Sequence, residues 1–327
     1  MNTKLLSVEN VVKVFKVGGG LGLLGRKYVK AVNDVTFSIP NEPTIISLVG
    51  ESGSGKSTLA KMILGLIRPT SGSIKFMGKD IYSMNKEEWK NFRRDVQAVF
   101  QDPYEVYNPF YRVDRVLRVA IRKFGIGKGS HDEEELIEEA LKAVGLRPKD
   151  IIGRYPHQLS GGERQRIMLA RIYLIKPKLI VADEPVSMID ASLRASILDL
   201  LQSFKEKLGT SCLFITHDLL MSYYMGGDVF VMCKGKIIEK GNAEDIMRKP
   251  LHPYTQLLVS SIPIPDPRRR WKEKLSLKVE TLEERVFQEN SCVFYNRCPY
   301  ALEKCKKSMP PFINMGEGRE VACFLYQ

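Results

Sequence analysis

The sequence predicts an α/β fold: a parallel sheet with helices packed on it, entered through a β-hairpin, interrupted by a helical insertion and followed by a small cysteine-bearing C-terminal extension. Three observations carry this prediction. A short apolar strand runs into GESGSGKS at 50–57 and then into a stretch with apolar residues at helical spacing, the order a phosphate-binding unit needs. From residue 162 onward, helical and strand patterns alternate, which builds parallel sheets covered by helices. Four of the six cysteines fall in the last 36 residues. In a reducing compartment such clustering points to metal rather than to disulfides.

Taken in order, residues 5–15 (LLSVENVVKVF) and 29–38 (VKAVNDVTFS) read as two strands of a hairpin, because β-branched and aromatic residues dominate without a helical stripe. The loop between them holds Gly20-x-Gly22-x-x-Gly25, the spacing of a dinucleotide fingerprint. A strand follows it instead of a helix, so no helix dipole faces a pyrophosphate, and a hairpin tip is the expected role. Residues 43–49 (PTIISLV) form the strand before the glycine loop, and 56–67 (KSTLAKMILGLI) the helix after it. Helices are expected near 113–123 and 132–144, the second opened by the acidic run DEEELIEE, which complements its dipole. The alternation then runs through a helix at 162–175, strand 178–183, helix 192–208, strand 211–216, helix 218–225 and strand 228–233. IPIPDPRRRWKEK around 262–276 is a proline-punctuated basic linker.

Composition excludes several classes. At 327 residues, 44% hydrophobic and 27% charged, the chain is neither collagenous nor disordered. No apolar run approaches the roughly 20 residues that cross a bilayer, and the start lacks a signal-peptide core. A cytoplasmic protein is expected. The net charge of +12 favours contact with phosphates, nucleic acid or an anionic membrane face without choosing among them.

Each motif has its own chemistry. In Gly50-Glu51-Ser52-Gly53-Ser54-Gly55-Lys56-Ser57, the glycines let backbone N–H groups point inward around phosphates. Lys56 is suited to reach the β- and γ-phosphates, and the Ser57 hydroxyl to ligate Mg²⁺. Leu179-Ile-Val-Ala-Asp183-Glu184 is an apolar strand ending in two carboxylates. Asp183 is placed to position Mg²⁺ and Glu184 to polarise an attacking water. Ser160-Gly161-Gly162-Glu163 opens an amphipathic helix and makes a second anion-binding terminus or a plain helix cap.

The phosphate loop, LSGGERQR at 159–166, LIVADEP at 179–185, Gln101 in VFQDP and His217 in ITHD occur together and in that order. This set resembles the ATP-binding cassette (ABC) ATPases over about residues 5–265. The resemblance implies a mixed sheet with a phosphate-loop core, an antiparallel β-subdomain and a helical subdomain at about 104–175, in a cassette covering 1–265. It also implies that two cassettes dock head to tail, each ATP lying between one phosphate loop (50–58, Thr58 included) and the partner's Ser160, Gly161, Gly162 and Glu163. By resemblance Glu184 is the catalytic base, His217 the switch histidine and Gln101 the residue linking Mg²⁺ and water to the membrane partner. Asp190 in SMIDAS lies on the loop that crosses the dimer, where Ile189 departs mildly from the usual S-x-L-D. Phe15 is the adenine-stacking aromatic, with Tyr28 the alternative; core packing would explain a strand Phe15 as well.

HPYTQLL at 252–258 and the tail with CVFYNRCPYALEKC resemble the oligopeptide/dipeptide importer branch. VKAVNDVTFSI and EPVSMIDASLR are similar to one of its two paralogous ATPases. The resemblance implies a paralogous ATP-binding partner, two membrane-spanning permease subunits, an indirect solute-binding protein, no nucleic acid, and a place on the cytoplasmic face of the cell membrane. Peptides are the implied solute, with oligosaccharides or a soluble nucleic-acid-linked ATPase as alternatives. Residues 266–327 make the linker and extension. There, Cys292, Cys298, Cys305 and Cys323 are soft ligands suited to an iron–sulfur cluster or tetrahedral Zn²⁺; the branch can carry a [4Fe–4S] cluster here. Arg297, Lys304, Lys306 and Lys307 beside them tune such a cluster, face anionic lipid, or form a solvated face. Cys212 and Cys233 are expected in the core.

Overall fold

The computed structural model describes residues 4–17, 27–102, 107–127, 130–263 and 291–327. The Gly20-x-Gly22-x-x-Gly25 motif and most of the basic linker lie outside the described residues. The chain divides into two compact units. One comprises Met1–Leu6, Ile39–Ile45 and Lys75–Ile215; the other comprises Ser7–Ser38, Ile46–Ile74 and Thr216–Gln327.

In the first unit, strand Leu179–Asp183 runs parallel to Val96–Val99 on one side and to Ser211–Thr216 on the other. The register pairs Val96 with Leu179 and Ile180 with Cys212. Leu179, Ile180, Val181 and Ala182 are fully buried, as a strand covered on both faces requires. The helices cluster around Gly161–Ile175. Arg115–Phe124 begins two residues later than its periodicity predicts and ends where Gly125 takes a left-handed φ of 64°. Ser130–Ala143 is joined to it through the buried Glu133 carboxylate, which accepts from Arg118 at 3.1 Å and from Arg122 at 3.1 and 3.2 Å. Helix Lys86–Asp95 was not expected. Its signal is nevertheless in the sequence: Asn85 and Glu88 form a capping box ahead of Trp89 and Phe92.

In the second unit, the long strands Leu6–Val17 and Lys27–Ile39 are neighbours in one sheet, as the hairpin reading expects. Strand Ile45–Val49 runs parallel to Asp228–Cys233, which pairs antiparallel with Lys236–Asn242. The sheet then continues antiparallel through Arg319–Val321 to Ile313–Gly316. It is therefore mixed. The helix after the glycine loop spans Lys56–Ile63 and stops short of the expected Ile67, because Gly65 enters the left-handed region at φ 69°.

The C-terminal residues belong to the core of this second unit. Cys292, Phe294, Cys305 and Phe324 pack in one cluster with Val49, Val231, Ile238, Ile246 and Tyr254. Glu239, fully buried on strand Lys236–Asn242, accepts from the backbone N–H groups of Leu251 and His252 at 2.9 Å each, and pairs with Arg319 at 3.1 Å. A buried charge needs such partners. Cys212 and Cys233 are core residues, 1% and 3% exposed. Among the described residues, no helix is long and apolar enough to cross a membrane.

Candidate functional site

The glycine loop sits between strand Ile45–Val49 and helix Lys56–Ile63. Its glycines are required by close approach. A Cβ on Gly50 would lie 2.1 Å from the Met232 carbonyl oxygen, and one on Gly55, at φ 104°, 2.1 Å from that of Ala31. Ser54 N–H donates to Glu51 O at 3.1 Å, closing the curl. The buried Lys56 ammonium folds over the loop and donates to Gly50 O at 2.7 Å, Glu51 O at 3.0 Å and Ser54 Oγ at 3.3 Å. Ser52, Gly53 and Ser57 are exposed; Thr58 is half-buried. A backbone curl, a cation aimed at its centre and a helix N-terminus make a cradle for a polyphosphate.

Glu51 is gripped twice within its own unit. Its carboxylate accepts from both terminal nitrogens of Arg297 at 2.8 and 2.9 Å, and its backbone N–H donates to Tyr254 Oη at 2.9 Å. The Arg297 guanidinium, first by its hydrogen bonds, holds the Glu51 carboxyl below the ordinary carboxylate value. Sequence reasoning missed this pairing. It placed Arg297 by the cysteines as a cluster-tuning, lipid-facing or solvated residue. The side chain is instead only 17% exposed and turned onto Glu51.

Phe15, near the end of strand Leu6–Val17, is 39% exposed, with the Lys13 ammonium 5.3 Å from its ring centre. It is therefore no core residue. Tyr28 is more open, at 59%. His217 is exposed between two anchored neighbours. Thr216 Oγ1 accepts from Asp218 N–H at 3.0 Å, and Asp218 caps helix Leu219–Met225 through Leu220 N–H at 2.8 Å.

In the first unit, Asp183 ends its strand and Glu184 follows at φ 47°. The Glu184 N–H donates to Ile215 O at 2.9 Å, and its carbonyl accepts from Ser187 Oγ at 3.1 Å. The backbone is thus pinned on both sides of a carboxylate in an unusual conformation. Ser160 caps helix Gly161–Ile175: its Oγ accepts from Glu163 N–H at 3.2 Å, while Glu163 Oε2 accepts from Ser160 N–H at 2.8 Å. Of the two readings the sequence allowed here, the helix cap is visible directly. Arg171 on that helix donates to Ala98 O at 2.9 Å, tying it to the strand that leads to the exposed Gln101. Asp190 is exposed and stands at the N-cap of helix Ala191–Leu208.

Cys292, Cys298, Cys305 and Cys323 line one cavity in the second unit, together with His252, Tyr295, Tyr300 and Phe324. All four are free thiols. Burial pushes the Cys292 thiol up to about 12 and raises those of Cys298 and Cys323. Among the described residues, no group of three or more His, Cys, Asp or Glu side chains is arranged to hold a metal ion. His252, fully buried beside them, accepts the Tyr254 N–H at 3.0 Å through Nδ1; burial depresses its pKa to about 3, keeping it neutral.

Comparisons with known proteins agree with this arrangement. A family model described as ABC transporter matches residues 32–187, and one described as the C-terminal region of oligopeptide/dipeptide transporters matches residues 238–305. The putative oligopeptide transport ATP-binding protein YkfD of Bacillus subtilis is 41% identical, covering 92% of this chain and 91% of its own length. The oligopeptide transport ATP-binding protein OppF of Haemophilus influenzae is 36% identical over 98% of this chain and 96% of its own. Among solved structures, the ATP-binding cassette MJ0796, a dimer in a post-hydrolysis state with ADP and Pi, matches with a TM-score of 0.63 and 26% identity, covering 73% of this chain and 98% of that one. The chain belongs to the ABC transporter family, as an ATP-hydrolysing subunit of its oligopeptide/dipeptide importer branch.

Proposed function

We propose that this chain powers peptide uptake from the cytoplasmic face of the membrane, docked on two permease subunits and paired with a paralogous ATP-binding subunit. The phosphate loop carries this reading: curled glycines, Lys56 and a helix N-terminus offer a triphosphate everything its charge requires. The relatives named above are oligopeptide transport proteins, which favours peptides over oligosaccharides or nucleic acid. A solute-binding protein would deliver the peptide to the permeases without touching this chain.

In this reading residues 50–58 bind the phosphates and Phe15 stacks on the adenine. Ser57, Gln101 and Asp183 would hold Mg²⁺; a hydroxyl, an amide carbonyl and a carboxylate are the hard oxygen donors that ion takes. Bound there, Mg²⁺ neutralises charge on the phosphates. Glu184 accepts a proton from water as the water oxygen bonds to the γ-phosphorus and the bond to ADP breaks, yielding ADP and phosphate. His217 contacts the γ-phosphate, and Gln101 couples the site to the permeases. Ser160, Gly161, Gly162, Glu163 and Asp190 serve the nucleotide held by the partner cassette. Residues 1–265 act as the cassette, with 104–175 as its helical subdomain.

The extension over 266–327 is read as the holder of a [4Fe–4S] cluster. Four free, soft thiols around one cavity are the donor set such a cluster takes. Tetrahedral Zn²⁺ is the alternative occupant of the same four thiolates. Replacing Glu184 by Gln tests the catalytic assignment. The variant is expected to bind Mg·ATP with affinity within about twofold of wild type, while turnover falls by about 10²-fold or more. Wild-type turnover in that variant would remove Glu184 from the base role.

A further inference from the structure

We propose that Arg297 is a positioning residue for the phosphate loop: planted in the cysteine-bearing extension, it holds Glu51 and thereby sets nucleotide affinity. The inference rests on reading residues 50–58 as the nucleotide loop.

Both partners of Glu51 stand on one aromatic ring. Tyr254, fully buried, meets Phe294 edge-on at 5.4 Å, and the Arg297 guanidinium lies 5.6 Å from the same ring. Phe294 and Arg297 lie between Cys292 and Cys298 on a turn fixed by its own hydrogen bonds. Cys292 N–H donates to Cys305 O at 2.8 Å, Tyr295 N–H to Cys292 O at 3.0 Å and Arg297 N–H to Phe294 O at 3.1 Å. The segment that presents the cysteines therefore also aims the guanidinium.

An ordinary surface ion pair contributes little. This one differs in three respects. It is bidentate, the geometry in which Arg adds direction as well as attraction. Its cation is planted, with 17% of the side chain exposed against 43% for Glu51. And the residue it holds is gripped again through its backbone N–H by Tyr254. Glu51 is also where the loop's internal bonds converge, since its carbonyl accepts both the Ser54 N–H and the Lys56 ammonium. A shift of Glu51 moves the rest position of Lys56 and the curl around it. The contact joins residues 246 apart in sequence, so the chain returns from its far end to brace the loop.

The test is equilibrium binding of Mg·ATP to the purified full chain, with thermal unfolding followed in parallel. Arg297→Ala is expected to raise the Kd about three- to tenfold, and Arg297→Lys, which keeps the charge but loses the fork, to fall between. Glu51→Gln leaves the extension whole and is expected to raise the Kd by a similar factor; it serves if Arg297→Ala fails to fold. The double variant Glu51→Gln/Arg297→Ala is expected to be no worse than the more affected single one, because both remove one interaction. A purely structural role would lower the melting temperature and leave the Kd in place; that result, with Arg297→Ala and Glu51→Gln both within about 1.5-fold of wild type, overturns the proposal. Lys56→Ala separates the two layers. Its loss of binding upholds the nucleotide-loop reading whatever Arg297 does, and wild-type binding in Lys56→Ala would remove that reading itself.

Discussion

Glu184 takes a left-handed backbone conformation, φ 47°, directly after the last strand residue Asp183. A non-glycine residue in that region costs of order 1 kcal/mol or more and persists only where its surroundings enforce it; here Ile215 and Ser187 hold both backbone groups. The residue a strand-ending pair of carboxylates marks as the base is thus also one of the strained positions. Phe15 poses the other residue-scale question. Its ring is 39% exposed, with the Lys13 ammonium over it, and stacking on a base contributes about 1–3 kcal/mol. Phe15→Ala is expected to weaken Mg·ATP binding about fivefold or more, and Tyr28→Ala to change it less than twofold, read by titration. The reverse ranking would move the adenine contact to Tyr28. At this scale the sequence is most legible where chemistry is contiguous: residues 50–58, 160–163 and 183–184 carry their meaning in short windows. Arg297 was legible only as a charge near cysteines, because its partner lies 246 residues away and no local pattern records a long-range pair.

At the scale of elements, periodicity located helices Arg115–Phe124, Ser130–Ala143, Gly161–Ile175, Ala191–Leu208 and Leu219–Met225 and the parallel strands from Leu179 onward within a few residues. It missed parallel strand Val96–Val99 and helices Lys86–Asp95, Ala243–Arg248 and Pro253–Ser260, and the misses have causes. Strands Ile313–Gly316 and Arg319–Val321 are short, and the first is mostly exposed, so the alternation that announces a strand barely develops. The alternation alone reads as a parallel sheet; the sheet is mixed, as the family resemblance implied, because strand Lys236–Asn242 turns the edge antiparallel. Helix Lys86–Asp95 was announced by its capping box rather than by a long apolar stripe. The cysteine spacing suggested metal, but only the fold brings Cys323 to the same cavity as Cys292, Cys298 and Cys305. Protein purified anaerobically is expected to be brown, absorb near 400 nm and contain about four iron atoms per chain, the stoichiometry of a four-iron cluster. Cys298→Ser is expected to lose most of both signals. A colourless protein with stoichiometric zinc would replace the cluster by a single ion.

For the whole molecule, each unit carries part of the proposed machinery: phosphate loop, Phe15 and His217 in one, Gln101, the LSGGE cap, Asp183 and Glu184 in the other. The sequence order of these motifs was enough to assign the family, and the family models and relatives agree. The extension adds a component that the cassette motifs do not foretell, since the tail is packed into the core of the unit holding the phosphate loop and reaches Glu51 through Arg297. In the proposed reading ATP hydrolysis is coupled to peptide movement through the permeases and a second cassette, so the central claim is best tested in the assembled complex. The most direct measurement is ATP-dependent uptake of a labelled peptide into vesicles containing the permeases, the proposed paralogous subunit and this chain. The account predicts uptake with wild type and a fall of about 10²-fold with Glu184→Gln; uptake that continues at the wild-type rate with Glu184→Gln, or with this chain omitted, would contradict it.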